Sequence, residues 1–478
     1  MTTEQLNVPS SLETPLPSRL LFIVFPVLAV MLGWAWRGFI GGGPFAAMIP
    51  GAFIALSLSL LLRHDRHEAA VAALFGAIGL GCGGEMTYGQ TLGLACDPNT
   101  MAWGLLGVAL KGGIWGLLGG AILGAGLCRA QYSRGTLLMG LLLALLCFYP
   151  GWKLINASRL IYFSNPFDKP RDEVWAGLLG AAIAFIVWIL YKGRGKQRAV
   201  PFFFALWGLV GGAIGFGAGC LFLIFGRSSY APAAVIDWWK LMECFFGAML
   251  GLVFGLAAWL HRDRLKTHGV AETKDGAGGW IAPVILLLFV IGFFVVFPKW
   301  EQCLEGCACL PGLAADDVLQ VLYNFLFFGI LCIGLALYCR SAAWHVAITV
   351  TFFHTVLDFN RNCENMLGWA APLWMQLSIL IVVVGIVAVC VHFLDKGPRP
   401  VSRLYLLLLW ASFIMATLKT LMHHDYFKGT VNRFVPWHMP MTIIALYVLY
   451  VVTTAVLTFI ILHLGKAEGR AARGASSC

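Results

Sequence analysis

The sequence predicts an all-α polytopic membrane protein, and three observations lead there. Of the 478 residues, 60% are hydrophobic and 12% charged, against about 25% charged in an average soluble domain. A soluble chain of this length must cover a large surface with polar groups, and this one lacks them. The apolar runs are long and continuous rather than alternating, which excludes an outer-membrane β-barrel. Aromatic residues reach 13%, and a chain so rich in apolar and aromatic side chains is not disordered.

A spanning helix needs about 20 mostly apolar residues, because the hydrocarbon core is about 30 Å thick and a helix rises about 1.5 Å per residue. Fourteen stretches qualify: 20–36, 44–62, 70–95, 101–128, 135–155, 174–191, 201–226, 238–260, 279–297, 317–339, 341–358, 371–393, 404–422 and 438–464. The fifth is interrupted at Pro150-Gly151. The eleventh is short and carries His345 and His354.

The basic residues orient these spans. Arg63 and Arg66 follow the second, and Arg129 and Arg134 the fourth. Lys192, Arg194, Lys196 and Arg198 follow the sixth, and Arg262, Arg264 and Lys266 the eighth. Arg340, then Lys396, Arg399 and Arg403, then Lys466, Arg470 and Arg473 continue the pattern. All fall on one side if the spans alternate, which places both termini in the cytoplasm, the membrane being read as a bacterial inner membrane. The net charge of +10 then sits near anionic lipid. Charges scattered over many short loops do not make a nucleic-acid surface. Residues 1–18 carry Glu4 and Glu13, and the apolar run after them is too long for a signal-peptide core, so no cleavable leader is expected.

Glycine divides the chain: 43 of the 55 glycines fall in residues 1–279. Small residues let helices approach closely in lipid. The expected organisation is a cytoplasmic tail (1–19), a Gly-rich eight-helix bundle (20–260), a polar linker (261–278), a six-helix bundle (279–464) and a second tail (465–478). Within the first bundle, Ala77-Ile-Gly-Leu-Gly-Cys-Gly83 matches Ala213-Ile-Gly-Phe-Gly-Ala-Gly219, and Gly112, Gly116 and Gly120 parallel Gly247, Gly251 and Gly255. Spans two to four thus resemble spans six to eight, a parallel internal repeat of the kind found around transport sites.

Ionisable groups inside a bilayer cost about 2.5–3.5 kcal/mol each on insertion scales and mark functional candidates. Glu85 lies a little past the middle of the third span, and Lys111 at a similar depth in the fourth. An ion pair between them would neutralise both, with Tyr88 and Gln90 adding hydrogen bonds. Read structurally, such a pair only fixes packing. Arg37 closes the first span, followed by Gly41-Gly42-Gly43 and Pro44. That loop of free amides at a helix start suits an anion, while an arginine snorkelling beside Trp34 and Trp36 is the plainer reading. No Gly-Lys-Ser/Thr follows, so a phosphate-binding P-loop is not indicated. Glu243, Asn324 and Lys419 complete the polar set of the expected substrate site.

His354 and Asp358 stand four residues apart and share a helix face. A carboxylate beside an imidazole suits a proton relay or a catalytic base; a histidine hydrogen-bonded within the bundle is the structural alternative. Fourteen cysteines are present. Those in the spans act as small apolar residues. Cys303, Cys307 and Cys309 share a loop on the outer side with Cys363, and disulfides are expected there. The spacing C-x3-C-x-C is not a standard zinc pattern, so neither a metal nor a cofactor is expected.

The favoured function is a membrane transporter for a small polar or anionic solute, sugars and lipid-linked sugars included, entering a polar cavity from the extracytoplasmic side. Its expected partners are the lipid bilayer and that solute. The alternative is a membrane-embedded transferase using His354 with Asp358, or His423, His424 and Asp425, on a lipid-linked substrate. A third reading is a non-catalytic subunit of a membrane complex or a homo-oligomer.

Overall fold

A computed structural model of the chain describes residues 17–40, 43–167, 170–193, 195–228, 236–265, 288, 329–357, 372–423 and 441–475. All regular structure among them is helical. Ten of these helices are long and apolar enough to cross a membrane. The ninth expected span, 279–297, apart from residue 288, and residues 317–328 of the tenth, 317–339, lie outside the described residues.

The Gly-rich half forms α1 (Arg19–Ile40), α2 (Gly43–Leu62), α3 (Arg66–Gly83), α4 (Gly89–Ala95), α5 (Met101–Leu127), α6 (Arg134–Gly151), α7 (Trp175–Lys192), α8 (Val200–Gly226) and α9 (Trp238–Leu260). Six of them close a ring in the order α1, α2, α3, α5, α8, α9 and back to α1, with α6 and α7 paired outside it beside α5. Neighbours in the ring are antiparallel. Along the α5–α8 seam, Gly112 faces Gly212, Gly116 faces Gly208 and Gly120 faces Phe204. A Cβ on Gly116 would fall on the Gly208 carbonyl. Association in lipid gains nothing from excluding water, so close backbone packing of this kind has to supply it. Gly247, Gly251 and Gly255 press in the same way on the backbone of α1 at Val30, Pro26 and Phe22.

The two copies of the expected repeat differ in surroundings: α2 stands in the ring and α7 outside it.

Two spans differ from the sequence reading. The third is not one helix: α3 ends at Gly83, a turn follows, and α4 starts at Gly89. The fifth is not interrupted at Pro150. α6 runs through that proline and widens into a π-turn over Trp152–Asn156. The proline removes one N–H from the ladder, and a wider turn absorbs the loss.

The second half contributes α11 (Cys332–Tyr338) and α12 (Arg340–Trp344), continued by a π-segment over His345–Val350 and helix to residue 357, then α13 (Leu373–Lys396), α14 (Pro400–His423) and α15 (Met441–Ala475); the short α10 (Arg262–Leu265) follows α9. α14 and α15 lean on α1 and α2. The Tyr405 hydroxyl meets Ser57 Oγ at 2.8 Å, and Trp36 packs on Phe53, Phe413 and Tyr450. α2 is therefore enclosed on all sides, with 94% of its apolar window buried, while 22% of the window in α13 is. Exposed Ile381, Val382, Ile386 and Phe393 on α13, and Val448, Val451, Val452 and Phe459 on α15, form an apolar outer surface suited to lipid. α15 runs past residue 464 into the expected tail, where Glu468 accepts from Val401 N, Ser402 N and Ser402 Oγ at the start of α14.

The basic loops gather at one end of the bundle. His64 Nε2 lies 3.2 Å from the Leu265 carbonyl, the Tyr132 hydroxyl donates to the Arg198 carbonyl, and Arg340 pairs with Asp395. The polar candidates of α1, α3, α5 and α9 lie toward the other end.

Candidate functional site

The centre of the ring is filled by aromatic side chains from four helices. Trp34 of α1 packs edge-on against Trp115 of α5 at 4.9 Å and against Phe246 of α9 at 4.5 Å, and Phe216 of α8 lies 3.9 Å from Phe246. Above this floor sits the break between α3 and α4, residues 84–88.

Local sequence explains the break. The glycines at 81, 83 and 84 weaken the end of α3, and each close approach there excludes a side chain. A Cβ on Gly83 would enter the Trp115 ring, and one on Gly84 would strike the backbone of Gly43 and Pro44. Gly84 N bonds back to Gly81 rather than to Leu80, which orphans the Leu80 carbonyl. Trp115 Nε1 donates to it at 2.7 Å. The Thr87 carbonyl, also free, accepts from Lys111 Nζ at 2.8 Å. Irregular backbone at membrane depth needs partners of this sort, and α5 supplies both.

Lys111 does not pair with Glu85. Its ammonium bonds Glu173 Oε1 at 2.7 Å and donates to Thr91 Oγ1 at 2.8 Å as well as to Thr87. α3 stops before Glu85, so that carboxylate rides on the turn, half-buried, instead of facing α5 at matching depth. Glu173 comes from the connection between the π-turn and α7. Its two oxygens also accept from Ser164 Oγ, Phe163 N and Trp175 Nε1. The side chains are 2% and 0% exposed, and all three ammonium protons are used. Lys111 is thus enclosed in a saturated lock and does not floor an open cavity. Gln90 belongs to the same corner, accepting from Asn165 N at 3.2 Å.

A second network surrounds Arg37, which is 3% exposed. Nη1 donates to the Tyr88 hydroxyl at 2.8 Å and Nη2 to the Gly43 carbonyl at 3.3 Å. The Tyr88 hydroxyl donates to Glu243 Oε1 at 3.5 Å. Glu243 takes its ion pair from Lys240, at 2.5 Å, and a further bond from Trp239 Nε1 at 3.1 Å. Three ring faces surround the guanidinium, with Trp115, Tyr88 and Trp34 centroids at 5.0, 5.5 and 5.7 Å from Cζ. Such contacts contribute about 0.5–2 kcal/mol each.

The structure therefore joins Arg37, Tyr88 and Glu243, and places Lys111 and Gln90 in an adjoining network that shares the segment 85–91. His354 is stacked on Phe45, near the start of α2, at 3.4 Å between ring centroids. Lys419 is buried toward the same end as Arg37, on α14. Asp358, Asn324, His424, Asp425, Cys303, Cys307, Cys309 and Cys363 lie outside the described residues. Nine described cysteines are free thiols. Among the described residues no group of three His, Cys, Asp or Glu could hold a metal ion.

Sequence reasoning missed Glu173, Lys240, Trp34 and Trp115 as members of these networks. The i,i+3 spacing of Lys240 and Glu243 on a helix start was a usable signal. Glu173 gave none, because it sits in a polar connection 62 residues from its partner. Comparisons with protein-family models, curated proteins and solved structures find no match to this chain.

Proposed function

We propose that this membrane protein is a transporter that moves a small polar or anionic solute across the membrane, entering from the extracytoplasmic side past the segment 84–88. The observation that carries the reading is the broken third helix. A helix interrupted at depth, its loop beside buried Arg37, Lys111 and Glu243, is how transporters present a charged site inside a bilayer. Stability alone would favour a continuous apolar helix there. Collection of the basic loops at the opposite end supports a cytoplasmic placement of that end and of both termini, with the site toward the extracytoplasmic side of an inner membrane. The transferase alternative would use His354, which is stacked on Phe45.

Purified protein in liposomes tests this directly. Uptake of chloride, nitrate, phosphate and a neutral hexose is compared with that of empty liposomes. At least one solute should cross faster with protein present, and Glu85→Gln on the entrance segment should lower that rate about tenfold or more, a barrier change of about 1.4 kcal/mol. Correctly inserted protein that moves none of the four would end the transport reading.

A further inference from the structure

Arg37 carries a positive charge that has no counter-ion among the described residues. Among the described residues no carboxylate forms an ion pair with it. The nearest through hydrogen bonds, Glu243, is held by Lys240 at 2.5 Å, so the connected group Arg37–Tyr88–Glu243–Lys240 holds two cations and one anion. Only two of the five guanidinium protons are used: Nε is buried and has no acceptor. One turn earlier on the same helix face, Trp34 Nε1 is a second buried donor without an acceptor. Buried donors are almost always satisfied, and an isolated buried charge is costly. The Gly43 carbonyl at the start of α2 accepts from this guanidinium, which orients its unused donors.

We infer that Arg37 and the indole N–H of Trp34 form a binding site for a small inorganic anion. The inference rests on the transport reading in naming that anion as the solute, but binding itself does not depend on transport. Size follows from the walls: with three aromatic rings within 5.7 Å of Cζ, a compact anion fits the unused donors and a bulky organic acid does not. Glu243 does not compete for Arg37, because its oxygens are occupied by Lys240, Trp239 and Tyr88.

The test uses the full chain in detergent, with ionic strength held by sodium gluconate while chloride, nitrate or phosphate replaces it. The thermal unfolding midpoint is the readout, since a ligand that binds only the folded state raises it saturably. Wild-type protein should respond saturably to at least one of the three. Arg37→Gln should weaken the apparent affinity about tenfold or more. Trp34→Phe, which keeps the ring and removes the N–H, should weaken it about threefold to tenfold. Absence of any saturable response in folded wild-type protein, or wild-type affinity in both variants, overturns the site. Binding that follows this pattern without flux in liposomes would defeat the transport reading and leave the site standing; flux that Arg37→Gln leaves intact, with no anion response, would do the reverse.

Discussion

Replacing Lys111 with Met should destabilise the protein severely. The side chain is of similar length, so no large cavity forms; the loss is electrostatic. Glu173 would keep its bonds from Ser164, Phe163 N and Trp175 but lose the one cation that pairs with it among the described residues, while fully buried. Breaking a buried pair from one side costs about 3–5 kcal/mol. The Thr87 carbonyl loses its donor as well, for about 1–3 kcal/mol more. That sum is a large part of a total stability of about 5–15 kcal/mol. Glu173→Leu should cost a similar amount by stranding the ammonium. The double variant is the informative one: with both charges gone, its cost should fall short of the sum of the singles by about 2–3 kcal/mol, the upper part of the range of about 0.5–3 kcal/mol for groups in direct contact. Denaturant titration of the detergent-solubilised protein, followed by circular dichroism, measures all three. Costs that add within about 0.5 kcal/mol, or a single-variant cost below about 1 kcal/mol, would show that the pair is not the lock described here.

Three further outcomes are expected. Gly116→Ala should destabilise the α5–α8 seam by about 1–3 kcal/mol through overpacking, whereas Gly135→Ala, with open space around it, should be neutral in the same titration. Glu468→Ala removes the acceptor for two backbone amides and one hydroxyl at the start of α14, and should cost about 1–2 kcal/mol, as loss of an N-cap does. Burial, with Arg264 beside it, holds the His261 imidazole below its ordinary range. The unfolded chain then takes up the proton more readily than the folded one, so this contribution is complete above about pH 6.5 and declines as pH falls through that value. On acidification through that value the unfolding midpoint of the wild type should fall relative to that of His261→Gln.

The sequence by itself determined that this chain is a bundle of apolar helices, because runs of about 20 apolar residues have one stable solution in lipid. It also marked Arg37, Glu85 and Lys111, since a charge within such a run stands out against its neighbours. Pairing was not legible. Lys111 and Glu85 looked matched because depth was counted along an unbroken third helix, and the glycines of Gly81–Gly84 end that helix before Glu85. Only the tertiary structure brought Glu173 in from a polar connection, closed six helices into a ring and set Trp34, Trp115 and Tyr88 around a guanidinium that has no counter-ion among the described residues. The physical reason is range: hydropathy acts residue by residue along the chain, whereas the partner of a buried charge is selected by which helix faces happen to meet.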